Sequence, residues 1–322
     1  MSPTHRTTWM FALGATMAVT SGCGSDKGGQ SNEPTGSDQS ALYRAPIDTD
    51  HPFAVGVCIG ALNTDPAKGE VGSCARTGQN VRCTGTLVAP NLVLTAKHCL
   101  YELVEGPPEG NPRCEYHFGS LRSQAGSRIT LSHTVLNDHP VWVETSRFLA
   151  PTSLDFCKDD IAYLVLEKNI DGVKLPKLDL FRDIHARPPA DGKVTIVGRG
   201  LFTPTDDGNL ERRILRNIPY ICADAPCDLS WNSGQSIFHV VDGQFAFGQS
   251  VDSGDSGSGV LLNDTFDSDP TVVGVESNGL EDPIGVPSHG IAIGLHRHAT
   301  FLRRGAYLAA NLGNYPVPGW AR

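Results

Sequence analysis

Three short segments carry residue types that together could make an attacking hydroxyl: Leu92-Val-Leu-Thr-Ala-Lys-His98-Cys99, Asp159-Asp160-Ile161-Ala162-Tyr163-Leu164 and Asp252-Ser253-Gly254-Asp255-Ser256-Gly257-Ser258-Gly259. A serine hydroxyl is a poor nucleophile until an imidazole within ~2.6–3.2 Å takes its proton, and a carboxylate on the far ring nitrogen then fixes the tautomer and stabilises the imidazolium. His98 is the imidazole expected to serve Ser256, and Asp160, immediately before the apolar Ile161-Ala162, is the expected carboxylate. Glycine two residues before a nucleophile lets the chain turn an amide inward, so the N–H groups of Gly254 and Ser256 are the expected oxyanion donors. Gly257 permits the tight exit. Any one segment would be weak, since Gly-Asp-Ser-Gly is also turn chemistry; the joint order and strand context make the signal.

Positioning such groups takes a rigid frame, and the composition points to strands. The 322 residues include 35 Gly and 22 Pro with 19% charged residues, which means many turns. From about Ala54 onward, short apolar runs recur between turn signals: Ala54 to Cys58, Thr84 to Val88, Asn91 to Ala96, Ile161 to Leu166, Val194 to Val197, Val260 to Leu262 and Thr271 to Val275. That spacing predicts an all-β sandwich or barrel. One helix is expected near the end, where Phe301, Leu302, Tyr307, Leu308 and Leu312 recur at helical spacing before Gly313, Pro316 and Pro318.

In these segments and their order the chain resembles the trypsin-like serine peptidases. The α/β-hydrolase elbow Gly-x-Ser-x-Gly is missing because position 258 is Ser, and the order His, Asp, Ser is that of the chymotrypsin-type barrels. The likeness extends to Cys83-Thr-Gly-Thr-Leu-Val-Ala-Pro-Asn-Leu-Val-Leu-Thr-Ala before His98, to Val194-Thr-Ile-Val-Gly198-Arg199-Gly200, where Arg199 replaces an aromatic residue, and to Gly274-Val275-Glu276-Ser277-Asn278-Gly279, which resembles the substrate-binding strand. It covers about Ala41 to Leu312, with Gly60 to Asn80 and Leu201 to Glu211 lacking a counterpart. The resemblance implies two packed six-stranded antiparallel β-barrels, about 41–185 and 186–322, with the triad in the cleft between them and the C-terminal α-helix against the second barrel. It implies Asp160 rather than Asp159 as the catalytic acid. It also implies substrate contacts at Ser250, Glu276, Ser277, Gly279 and Gly290, the extended substrate adding its backbone to the edge strand.

The resemblance further implies a Cys83–Cys99 disulfide, which would stabilise the fold by ~3 kcal/mol for about 15 enclosed residues. Eight cysteines allow 105 pairings. With Cys222 and Cys227 taken as a local pair, Cys58, Cys74, Cys114 and Cys157 retain three pairings, of which Cys58 with Cys74 is favoured.

The chain departs from the family in several places. Ser250, six residues before Ser256, stands where Arg/Lys-selective members carry Asp, and a neutral floor implies an apolar preference. Glu276 falls on the pocket wall, however, and a buried unpaired carboxylate is costly unless a basic substrate side chain or an internal partner answers it. No Ile-Val-Gly-Gly tetrad is present to supply an ammonium to Asp255 after an activating cut. Leu42 stands at that distance from Pro52, so processing near Ser40 or Ala41 is the expectation. Lys97 beside His98 replaces a small residue.

The chain start reads as an address: Arg6, the apolar run Trp9 to Thr20, then small residues leading to Cys23. The run is too short to span a bilayer. Thr20-Ser21-Gly22-Cys23 resembles the bacterial lipobox, in which the Cys is acylated, so residues 1–22 are expected to be a signal peptide and 23–40, with no aliphatic or aromatic residue, a disordered tether to a peptidase domain at 41–322. Of nine cysteines, Cys23 on a lipid leaves an even eight for disulfides, consistent with export to a cell envelope or the medium. Losing residues 1–22 moves the formal charge from -9 to -10, which excludes a nucleic-acid binder of the usual basic kind.

His296 and His298 lack a third ligand at zinc spacing, and Asn263, Asp264, Asp267 and Asp269 lack the Gly and terminal Glu of an EF-hand. No metal or cofactor is therefore expected; the chain is expected to be a monomer whose partner is a polypeptide substrate, with any membrane link made only through the lipid. Two other functions fit the same residues: a catalytically silent peptide-binding homologue and an esterase.

Overall fold

The computed structural model describes residues 45–68, 71–74, 80–106, 114–135, 140–200, 211–231, 236–248, 253–281 and 287–322. The expected signal peptide, tether, lipidation residue Cys23, Leu42 and Ser250 lie outside them.

In chain order the first half forms β1 (Ala54–Ile59), β2 (Val81–Ala89), β3 (Leu92–Thr95), β4 (Tyr101–Glu105), β5 (Tyr116–Leu121), β6 (Ser127–Thr130), β7 (Trp142–Leu149), the short α1 (Phe156–Asp159) and β8 (Ala162–Leu166). Strands β1-β2-β3-β8-β7-β6 close into a six-stranded antiparallel barrel, while β4 and β5 make a separate hairpin. β1, β3 and β8 are buried at every residue, which is why they read as unbroken apolar runs rather than as an alternation. Each fully buried Val, Leu or Ile contributes ~1.5–3 kcal/mol.

The second half adds β9 (Lys177–Leu178), β10 (Lys193–Gly198), β11 (Arg213–Ala223), β12 (Asp228–Trp231), β13 (Ser236–His239), β14 (Gln244–Phe247), β15 (Gly259–Leu262), β16 (Thr271–Glu281) and β17 (Pro287–Gly294), followed by α2 (Ala299–Gly313). Here β15-β10-β11-β14-β17-β16 is the order, and the β15–β16 pairing closes a second six-stranded antiparallel barrel, with β9 added in parallel to β16 and β12–β13 standing as a hairpin. The expected all-β architecture of two barrels and a C-terminal helix is therefore present. One core runs through both barrels: Val197, Leu261, Val275 and Ile293 of the second belong to the same buried cluster as Leu94 and Leu164 of the first.

The helix sits differently from the expectation. It packs on the first barrel: the Tyr163 ring of β8 stacks on Phe301, the Tyr163 hydroxyl donates to Leu302 O at 3.5 Å, and Asn91 Nδ2 donates to Ala309 O at 3.3 Å. Its buried face is Leu302, Gly305, Ala306, Ala309 and Ala310, whereas Tyr307 and Leu312 are about half exposed. Small residues win this face because the helix presses close: a Cβ on Gly305 would lie 2.7 Å from the Tyr163 ring.

All four disulfides link described residues. Cys83–Cys99, Cys222–Cys227 and Cys58–Cys74 form as expected, and Cys114–Cys157 takes the remaining pair. Among the described residues no helix is long and apolar enough to cross a membrane.

Candidate active site

His98 sits on a single 3-10 turn, Lys97–Cys99, directly after β3, and the Cys83–Cys99 bridge ties that turn back to β2. Asp160 follows α1, whose first turn is capped by Asp155 accepting from Lys158 N at 3.2 Å. The two meet. Asp160 is fully buried and accepts three hydrogen bonds: from His98 N at 2.7 Å, from His98 Nδ1 at 2.7 Å and from Ser277 Oγ at 2.6 Å. A carboxylate is acceptor-only, so Nδ1 carries a proton, and in the neutral ring Nε2 presents the lone pair. Asp159, the competing acid, instead faces His298 at 3.8 Å.

The Ser256 loop is stitched to the first barrel. Thr84 N donates to Ser256 O at 2.9 Å, Thr84 Oγ1 donates to Gly254 O at 2.8 Å, and Gly259 N donates to Thr86 Oγ1 at 2.9 Å. On the other side Gly257 N donates to Glu276 O at 2.9 Å. Gly254 and Gly257 have φ of +101° and +88°, and a Cβ on Gly257 would lie 2.2 Å from Thr95 Oγ1, so glycine is required at that exit. Among the described residues neither the Gly254 nor the Ser256 N–H has an acceptor, leaving both free for an oxygen anion. Ser256 Oγ and His98 Nε2 make no hydrogen bond to each other. The Cys83–Cys99 bridge lies by both groups: Cys99 Sγ is 3.8 Å from Ser256 O, and both sulfurs lie within 4.8 Å of a His98 ring nitrogen. Those sulfurs are bonded to one another, so the cluster does not hold a metal.

Ser277 and Gly279 lie on β16. β15 pairs with β16 only as far as Val275, so among the described residues the edge beyond it is open at Ser277–Gly279, while Gly279 faces Gly290 of β17 on the other edge. Gly290 has no side chain because the Phe247 ring occupies that space, 2.0 Å from where a Cβ would stand. Glu276 is buried, and its Oε2 has no partner among the described residues; burial first, then Asp255 and Asp160, push its carboxyl well above the usual range. Asp255 is also fully buried and accepts from Gly200 N at 2.6 Å.

The family described as Trypsin matches residues 62–301. The chain belongs to the trypsin family. Among solved structures of the same fold is the inactivated protease paralogue S-I1 of the scabies mite, 18% identical with a TM-score of 0.50, covering 84% of this chain and 98% of that one. No curated protein sequence matches the chain.

Two residues at this trypsin-family site escaped the sequence reading. Thr84 carries two of the contacts that dock the Ser256 loop, through its N–H and its hydroxyl, and the hydroxyl also accepts from Arg199 N at 3.0 Å. Arg199, expected only as an oddity, is buried with its guanidinium donating to Ser132 O, His133 O and Ala54 O, which fastens the second barrel to the first. Burial and nearby Arg212 lower its pKa to about 9, so it is still a cation at neutral pH. An Arg between two glycines, directly after the largely apolar Val194–Gly198 run, was the signal for it.

Proposed function

We propose that the chain is a serine endopeptidase that cleaves polypeptides through an acyl-enzyme, with Ser256 as nucleophile, His98 as general base and Asp160 holding the base. The observation that carries this reading is the triply bonded Asp160, which fixes the tautomer of the neutral His98 ring so that Nδ1 donates and Nε2 is the nitrogen that can accept. Ser256 Oγ attacks the scissile carbonyl as His98 takes its proton, the oxyanion settles on the amides of Gly254 and Ser256, and His98 then protonates the leaving amine. Water repeats the sequence and releases the acid. The open edge at Ser277–Gly279 supports an extended peptide over a simple ester as substrate.

Glu276 is proposed to select a basic side chain at the cleavage position, because its buried, unpartnered oxygen lies next to Ser277 on the same strand. Export and acylation at Cys23, and a cut near Ser40 or Ala41 that gives Leu42 to Asp255, complete the proposal; the four disulfides support an oxidising compartment. N-terminal sequencing of active protein tests the cut.

A silent peptide-binding homologue is the second reading, and the missing Ser256–His98 hydrogen bond favours it. Such bonds are often long in unliganded sites and tighten with substrate. Digestion of an unfolded polypeptide by the purified protein separates the readings: wild type should cut and Ser256→Ala should not, whereas binding without cutting by both would favour the silent homologue.

A further inference from the structure

We propose that Lys97 is a positioning residue, whose ammonium holds the segment that delivers Asp160 against the turn that delivers His98. The inference rests on the His98–Asp160 pair being the base of the proposed peptidase.

The Lys97 side chain is 1% exposed. Its Nζ donates to Pro151 O at 2.8 Å and to Ser153 O at 2.5 Å, and it lies 4.2 Å from the Phe118 ring centroid and 5.0 Å from that of Tyr101. An ammonium has three donors; two are met by carbonyls and the remaining charge faces aromatic rings. Burying a cation costs more than burying an apolar residue of similar volume. A structural filler at 97 would therefore be apolar, and the carbonyls that Lys97 bonds point to a different role.

Those carbonyls belong to the lead-in to α1 and Asp160. Lys97 and His98 are neighbours in one turn, and they grip the same segment at two points, Lys97 at Pro151 and Ser153 and His98 at Asp160. Between the grips the Phe156 ring packs on both His98 and Phe118, at 5.9 Å in each case. Phe118 N also donates to Leu154 O at 3.0 Å, and Cys114–Cys157 anchors α1. Without the ammonium, the carbonyls of Pro151 and Ser153 lose their donor, and the approach of Asp160 to His98 loses the anchor nearest the His98 turn, leaving Phe118, the Cys114–Cys157 bridge and Ser277 to hold it. Burial lowers the Lys97 pKa, and Asp159 and Asp160 oppose that fall, so the acid it positions also helps keep it charged.

The test is proton NMR of the His98 Nδ1–H, read in wild type and Lys97→Met, together with fluorophosphonate labelling rates at Ser256. Wild type should show a far-downfield Nδ1–H signal; Lys97→Met should lose or broaden it and react roughly 10- to 100-fold more slowly. With a peptide substrate the loss should fall on kcat and leave KM in place. A Lys97→Met protein whose signal is as sharp as wild type would overturn the proposal, as would a wild type without the signal. The NMR arm is independent of turnover: wild type that shows the signal yet never labels would sink the peptidase reading, and Lys97→Met would still decide this one. If Lys97→Met does not fold, Lys97→Leu, which also has no donor, is read the same way. In the unaltered chain the Lys97 ammonium should also exchange more slowly than surface lysines, and exchange at the surface rate would overturn the assignment.

Discussion

Ser277 Oγ donates to Asp160 Oδ2 at 2.6 Å, so the strand proposed to hold the substrate also holds the acid proposed to orient the base. The contact crosses from the second barrel to the first and makes Asp160 a junction of both. Hydrogen bonds to charged groups are worth about 1.5–3 kcal/mol. Ser277→Ala should therefore cost stability of that order and, provided the peptidase reading holds, lower kcat by roughly 10- to 100-fold as Asp160 loosens. Steady-state kinetics with a peptide substrate checks it; an unchanged kcat would mean the two His98 bonds suffice.

Glu276 predicts a pH dependence with a definite sign. Its carboxyl is raised above the ordinary value of 4.5 in the folded chain by burial and by the neighbouring Asp255 and Asp160. The unfolded chain therefore loses this proton first as pH rises. Stability is fully present below about pH 4.5 and falls as pH climbs toward the raised value. Glu276→Gln removes that fall, so the Tm gap between variant and wild type should widen from pH 5 to pH 8. The same variant should lose any preference for basic residues at the cleavage position. A peptide library cut alike by both proteins would refute the selectivity, and a constant Tm gap would refute the buried acid.

Gly200 should tolerate no side chain. A Cβ there would lie 2.1 Å from Asp255 Oδ2, and Gly200 N is the donor to Asp255 Oδ1. Gly200→Ala should push Asp255 aside and, with it, the adjoining amide of Ser256. Loss of one oxyanion donor costs roughly 10²–10³ in kcat, and that loss is expected while the far-downfield His98 signal survives. Full activity in Gly200→Ala would show that Asp255 does not set the loop.

Arg199→Ala should cost stability. It strips the donor from the carbonyls of Ala54, Ser132 and His133 in a buried place, a loss on the order of 3–5 kcal/mol. Denaturant unfolding measures it. A change under about 1 kcal/mol would mean water or a neighbour replaces the guanidinium.

What could be read in the sequence was what burial had simplified. β3 and β8 are buried throughout and, apart from Thr95, apolar, because both faces are covered, and they were legible. β4 (Tyr101–Glu105) buries no residue fully and β11 (Arg213–Ala223) only Ile218 and Ala223, so neither left an apolar run or a clean alternation to read. The helix was found by its large residues, yet Gly305, Ala306 and Ala309 decide where it packs, since only a small face can approach the Tyr163 ring. At the site, His98, Asp160, Gly254 and Ser256 announced themselves through motif and order. Thr84, Lys97 and Arg199 act through backbone carbonyls and amides far away in sequence, and side-chain type alone does not reveal such partners.

The most direct test of the peptidase reading is covalent labelling by a fluorophosphonate, followed by mass mapping of the modified peptide. Wild type should be modified at Ser256, His98→Ala should react far more slowly, and Ser256→Ala should not react at all. Folded wild type that stays unmodified, with or without removal of its N-terminal residues, would contradict the account and leave a trypsin-family fold that binds without cutting.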